Sequence, residues 1–195
     1  MKTYEVAIES TVAMLHHGAQ AVGMQEKDTT TRKPTGNALL GNPEEWKQTI
    51  YFDEKDGVYL PATCFEASCK NASKQFKVTG RTTATKFVES GMFCVDDHLQ
   101  FLVDGKPIKT LDDERIVVDK RTVKNPSTKG RNVRYRAKFD KWFSKFRVIV
   151  TADDYISKDL LKQIIEYAGA YVGVGDYHPK FGRFKLISLK EVNNG

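Results

Sequence analysis

Gly169-Ala170-Tyr171-Val172-Gly173-Val174-Gly175-Asp176-Tyr177-His178-Pro179-Lys180-Phe181-Gly182-Arg183-Phe184 joins an amphipathic helix to the last strand pattern of the chain. Its glycines let the backbone take positive φ and come close to a ligand. Between them stand Tyr177, His178, Lys180, Phe181 and Arg183. Aromatic rings and cations interleaved with glycine suit a phosphate backbone that carries stackable bases. The same spacing also suits a tight helix-to-strand connection with an ordinary solvated surface. Phe184 reads more readily as core.

Upstream, Ser157 is placed to cap a helix over residues 158–168. Leu160, Leu161, Ile164, Ile165 and Ala168 share its inner face, and Gly169 would stop it. Before it lies a strand over 142–151 ending in Val148-Ile149-Val150. The segment 131–139 alternates strictly. Val133, Tyr135, Ala137 and Phe139 share one face, and Arg134, Arg136 and Lys138 share the other. Three cations in register predict a solvated or ligand-bearing face rather than a core.

Charge is concentrated around that strand. From Arg115 to Arg147 there are twelve Lys and Arg but only Asp119 and Asp140 as acids, while the whole chain of 195 residues is +6. A basic patch on an otherwise acidic chain points to a polyanionic partner, or to a solvated face. Lys70, Lys74 and Lys77 extend the track, and Arg131 begins it.

The N-terminal part opens on a strand over 4–14, where Tyr4, Val6 and Ile8 alternate with Glu5, Ala7 and Glu9. A polar stretch over 20–42 has no period and reads as a long loop. A short helical turn over 43–48 carries Trp46. Two short strands, 49–52 and 58–60, flank a turn at Asp53 to Gly57. A helix follows Pro61, with Thr63 and Glu66 spaced as a capping box. Phe65, Cys69, Ala72 and Phe76 form its buried stripe. The middle, 78–120, reads as inserted short strands (87–95, 99–103, 116–118) with a turn at Asp104-Gly105, and 121–130 as a second polar loop.

The order of elements predicts one α+β domain over residues 1–195. Its expected core is β-α-β-β-α-β, the ferredoxin-like arrangement used by RNA-recognition folds, with inserted hairpins and long loops at about 20–42, 78–120 and 121–130. Three cysteines without a Cys-x-x-Cys pair suit free thiols in a reducing compartment. No apolar run approaches the ~18 residues of a membrane span, and Met1-Lys2-Thr3-Tyr4 does not read as a signal peptide. The expectation is a cytoplasmic protein. No His/Cys spacing fits a zinc site and no P-loop is present, so no metal and no cofactor is expected.

Two segments resemble a known family. One is the helix start Tyr59-Leu60-Pro61-Ala62-Thr63-Cys64-Phe65-Glu66-Ala67; the other is the terminal Gly173-Val174-Gly175-Asp176-Tyr177-His178-Pro179-Lys180-Phe181-Gly182-Arg183-Phe184. Together they resemble the repeat-associated RNA-binding superfamily of CRISPR systems, and within it the single-domain backbone subunit that coats guide RNA. The chain is also similar to uncharacterised phage proteins with such an ending. The resemblance implies a non-catalytic binder of single-stranded nucleic acid, RNA more readily than DNA. Copies would line up along the strand or beside CRISPR effector subunits. The basic strand face, the lysines of the first helix and the glycine loop give the candidate site for such a strand: Arg131, Arg134, Arg136, Lys138, Lys70, Lys74, Lys77, Gly173, Gly175, Tyr177, His178, Lys180, Phe181 and Arg183. Two alternatives stand beside it: a phage-encoded mimic that blocks effector assembly by protein contacts, and a metal-independent endoribonuclease using His16 or His17 as general acid or base.

Overall fold

The computed structural model describes residues 1–18, 45–124 and 130–192. The expected loop at 20–42, and residues 125–129 of the one at 121–130, lie outside these residues. The described chain is mixed α+β, with antiparallel sheets and few helices.

The main sheet is built on two nine-residue strands, β1 (Lys2–Ser10) and β13 (Trp142–Val150), antiparallel from Lys2↔Val150 to Glu9↔Phe143. β14 (Phe184–Val192) flanks β1 on the other side, with a register shift at Ala7/Ile8. The far edge of β13 is shared by β7 (Met92–Cys94) at its C-terminal end and β9 (Leu102–Val103) at its N-terminal end. β9 continues to β10 (Lys106–Pro107).

Helix α2 (Ala62–Ser73) lies between β1 and β7 in the chain; α4 (Lys158–Tyr167) lies between β13 and β14. Period-2 and period-3.6 patterns meet in one core. Tyr4, Val6 and Ile8 of β1 and Phe146, Val148 and Val150 of β13 face Phe65, Cys69 and Ala72 of α2 and Leu161, Ile164 and Ile165 of α4; all are buried. Each Val, Leu, Ile or Phe among them contributes roughly 1.5–3 kcal/mol when taken from water. Phe76 lies past the end of α2, packed edge-on against Tyr167.

A second sheet carries the charge: β11 (Val117–Lys124) pairs along its whole length with β12 (Arg131–Phe139), and the end of β12 pairs with β2 (Met14–Leu15). Short α1 (Glu45–Thr49) packs on β12, where the Thr49 hydroxyl accepts from the Ala137 amide. A small sheet of β3 (Phe52–Asp53), β4 (Gly57–Pro61) and β8 (His98–Gln100) precedes and follows α2. β5 (Lys77–Thr79) and β6 (Thr82–Thr83) form a hairpin. Among the described residues no helix is long and apolar enough to cross a membrane.

Several sequence expectations are corrected. The first strand stops at Ser10, where the chain turns before β2. Thr63 and Glu66 make no capping box: α2 starts at Ala62, with Pro61 two residues before Thr63 in the cap position and no side-chain cap, and the Glu66 carboxylate instead accepts from the Cys94 amide across to β7. The expected strand over 87–95 is helical in its first half, α3 (Thr85–Gly91), because Phe87 and Val88 pack as a helix turn over the sheet edge. Arg121 to Lys124 are strand rather than loop, held by the ladder to β12.

Candidate functional site

Ser157 caps α4 as expected, accepting from the Leu160 amide. Gly169 does not end the helix. The chain continues through a π turn (Ala168–Val172), and Gly169 is needed because a Cβ there would run into Phe184 of β14. Gly173, at φ +79, makes the actual turn away.

Beyond it the glycine loop is fastened to its own chain rather than left open. Gly173 N–H donates to Ala168 C=O, Val174 N–H to Gly182 C=O, Asp176 N–H to Leu15 C=O and Gly182 N–H to Ala13 C=O, all within 2.8–2.9 Å. The Gly175 amide hydrogen-bonds the Cys64 sulfur. Gly182 sits at φ +72 with the Val174 carbonyl where its Cβ would be. The close approach that these glycines permit is therefore to neighbouring backbone. Most of the loop's amides are spent on folding it.

The loop's side chains meet the cation face of the β11–β12 ribbon. Register places Asp119 opposite Arg136 and Arg121 opposite Arg134. Arg136, expected on a solvated face, is buried, and its Nε lies 2.5 Å from the Asp176 carboxylate. Arg121 donates from Nε to both carboxylate oxygens of Asp119, at 2.8 and 2.7 Å. That same guanidinium lies over the Phe181 ring, 4.6 Å from its centroid. Phe181 is only 7% exposed, so Arg121 and the loop cover it. Lys138 is paired with Asp140 at 2.8 Å. Arg134 lies half-buried and Arg131 exposed further along β12.

Tyr177 stands beside this stack, its ring 6.0 Å from that of Phe181. It is 49% exposed and held at φ +56, a conformation uncommon for a residue with a side chain. Such strain persists where the surroundings fix it, and it clusters at functional positions. His178 and Lys180 are exposed, while Arg183 braces the loop by donating from Nε to Pro179 C=O at 2.7 Å.

The remaining expected site residues lie elsewhere. Lys70 is paired with Glu89 of α3, Lys74 donates to the Asn71 side chain, and Lys77 is on the β5–β6 hairpin. His16 is fully buried among Tyr51, Phe101 and Phe139, with Nδ1 accepting from the Tyr51 amide. Burial pushes its pKa down to about 3, so the ring is neutral. His17 is half-buried and its carbonyl accepts from the Tyr51 hydroxyl.

One group of metal-type donors is present among the described residues: Asp53, Asp56 and His98. Each member already has a partner within or beside the turn. Asp53 accepts from the Lys55 and Asp56 amides, which together hold its carboxyl below the usual range, and His98 pairs with Asp56 at 2.8 Å. The arrangement closes the β3–β4 turn.

Arg121, Asp119 and Asp176 were not singled out from sequence. The alternation Asp119-x-Arg121 places both on one strand face and was a usable signal. The polar residues that follow it make the same segment read as the start of a loop. In comparisons with known proteins, no family model and no curated protein matches the sequence.

Proposed function

We propose that this chain is a non-catalytic, ferredoxin-like binder of single-stranded nucleic acid, related to the repeat-associated RNA-binding superfamily. The architecture supports this reading. The order β14–β1–β13–β7, with α2 and α4 in the two crossovers, is what β-α-β-β-α-β connectivity generates. The β11–β12 ribbon is then an insertion before the third core strand.

The observation that carries the proposal is the junction of ribbon and loop. An exposed tyrosine in a left-handed conformation lies beside an arginine–phenylalanine stack, under a strand lined with cations. Tyr177 offers a face for a base, and Arg121 is fixed in plane by Asp119. Arg131, Lys120 and Lys180 supply exposed positive charge for phosphates along the path. The paired cations Arg136 and Lys138 shape the surface rather than contact the strand. Successive copies would then lie along one strand, each covering a few nucleotides.

The test is fluorescence anisotropy with labelled single-stranded RNA, single-stranded DNA and duplex across a salt series. Tight single-strand binding that weakens steeply with salt is expected. Tyr177→Ala should cost about 1–3 kcal/mol of binding, as for one lost stacked base. Arg131→Glu with Lys180→Glu should flatten the salt slope. Absence of binding to all three at low salt would sink the proposal and leave the ribbon as a protein-docking face.

A further inference from the structure

Between α2 and the glycine loop lies a cleft of about 190 Å³. One wall is a single face of α2, including Thr63, Ser68 and Asn71; the other is Gly173, Gly175 and His178 of the loop. No carboxylate and no Lys or Arg lines it. Its size falls below that of a pocket for a whole drug-sized molecule, so it suits one part of a longer ligand.

Two independent features bear on what enters. The first is the start of α2. It has no side-chain cap and no acid in its first turn, and Ala62 alone of its first residues gives its amide to another loop, at Asp97 C=O. Thr63 and Cys64, whose amides come next, line the cleft. Such a terminus favours an anionic oxygen.

The second is Ser68. It is 2% exposed, and its hydroxyl has no hydrogen-bond partner in the fold. A helical serine ordinarily returns its hydroxyl to a carbonyl one turn back. An unmatched buried hydroxyl burdens the fold, and that burden is relieved when a ligand supplies a partner. Thr63 and Ser68 are five positions apart, about 7.5 Å along the axis. That separation holds two different parts of one nucleotide better than a single small ion.

We propose that the cleft takes one ribonucleotide unit of the bound strand. Its phosphate sits at the first turn of α2, and its 2′-hydroxyl pairs with Ser68. Asn71, held by Lys74 at 2.9 Å, lies at the outer end of the same wall, next to the sugar. A 2′-hydroxyl both donates and accepts, which is what distinguishes RNA from DNA at a protein site. The inference rests on the nucleic-acid reading and makes Ser68 its RNA-selecting residue.

The experiment measures anisotropy of one sequence as RNA, as DNA and as 2′-O-methyl RNA, on the wild type and on Ser68→Ala. Alanine keeps the helix and removes only the hydroxyl. The wild type should hold RNA about tenfold tighter than DNA or 2′-O-methyl RNA, the worth of one well-made hydrogen bond. Ser68→Ala should bring RNA down to the DNA value and leave DNA unchanged. Equal binding of RNA and DNA by the wild type would overturn the inference while leaving the binder intact. So would a Ser68→Ala variant that keeps its RNA preference, or that loses both ligands equally. Failure of all three oligonucleotides to bind would overturn the nucleic-acid reading and this inference with it.

Discussion

The guanidinium of Arg121 lies 4.6 Å from the centroid of the Phe181 ring and ties the inserted ribbon to the C-terminal loop. Its Nε is held by both oxygens of Asp119, so the plane of the group cannot turn freely. Charge, stacking and orientation are thus supplied by one side chain. Arg121→Lys keeps the charge but loses the planar stack and the fork. The expected outcome is a loss of about 0.5–2 kcal/mol in stability, read as a lower urea midpoint, with single-strand affinity falling at the same time. A variant with unchanged midpoint and affinity would show that the stack is incidental.

Arg136 and Asp176 make a different kind of pair. Arg136 is buried and Asp176 half-buried, so the guanidinium depends on this carboxylate far more than a surface cation would. Asp176→Ala should cost about 3–5 kcal/mol by stranding a buried guanidinium. Lys138→Ala, which breaks a pair with exposed Asp140, should cost about 0–1 kcal/mol. Thermal melts of the two variants side by side decide the matter; equal shifts would contradict this account.

Gly182 and Gly80 both have left-handed backbones, at φ +72 and φ +55, yet their surroundings differ. A methyl at Gly80 meets nothing within 4 Å, whereas at Gly182 it meets the Val174 carbonyl. Gly80→Ala should therefore cost only the backbone term of about 1–2 kcal/mol. Gly182→Ala should exceed it by several-fold or fail to fold. Denaturant midpoints and recovery of soluble protein would measure the contrast.

His16 makes stability depend on pH. Its pKa is near 6.5 in an unfolded chain and about 3 in the fold, with burial as the cause. Between those values the unfolded state holds the extra proton. Stability is full above pH 6.5 and falls by about 1.4 kcal/mol per unit as the pH drops toward 3. Asp53, Asp113 and Asp153 are held below the ordinary 3.8, by backbone amides, Arg115 and the N-terminal ammonium respectively, so their contributions disappear lower down. Urea titrations between pH 6.5 and 4.5 isolate the histidine. In His16→Gln, which can still accept from the Tyr51 amide, that slope should shrink by about one proton; an unchanged slope would refute the assignment.

Much of the framework was legible because periodicity is a local signal. The alternation in β1 and β12, the strand at β13 and the stripes of α2 and α4 each appear in the structure, with Phe65, Cys69, Ile164 and Ile165 all buried. What could not be read was pairing. Arg136 looks like a surface cation until Asp176, forty residues later, is brought against it. The glycines look like ligand contacts until Ala13 and Leu15 are found accepting the loop's amides. His16 offers no local sign that Tyr51, Phe101 and Phe139 will enclose it. Long-range contacts assign roles that residue type leaves open.

The pairing of β1 with β14 has a practical corollary. Ser10 and Phe184 lie together at the end of the pair that leads into the glycine loop, whereas Thr3 and Val192 lie together at the opposite end. The seven strand steps between them span about 23 Å. A fluorophore, an affinity handle or a second protein joined before Thr3 or after Val192 would leave from that opposite pole. Two copies linked head to tail through a short tether could each keep their ribbon and loop facing outward. Immobilised or tandem forms of the chain can therefore be built without shielding the surface on which binding is to be measured.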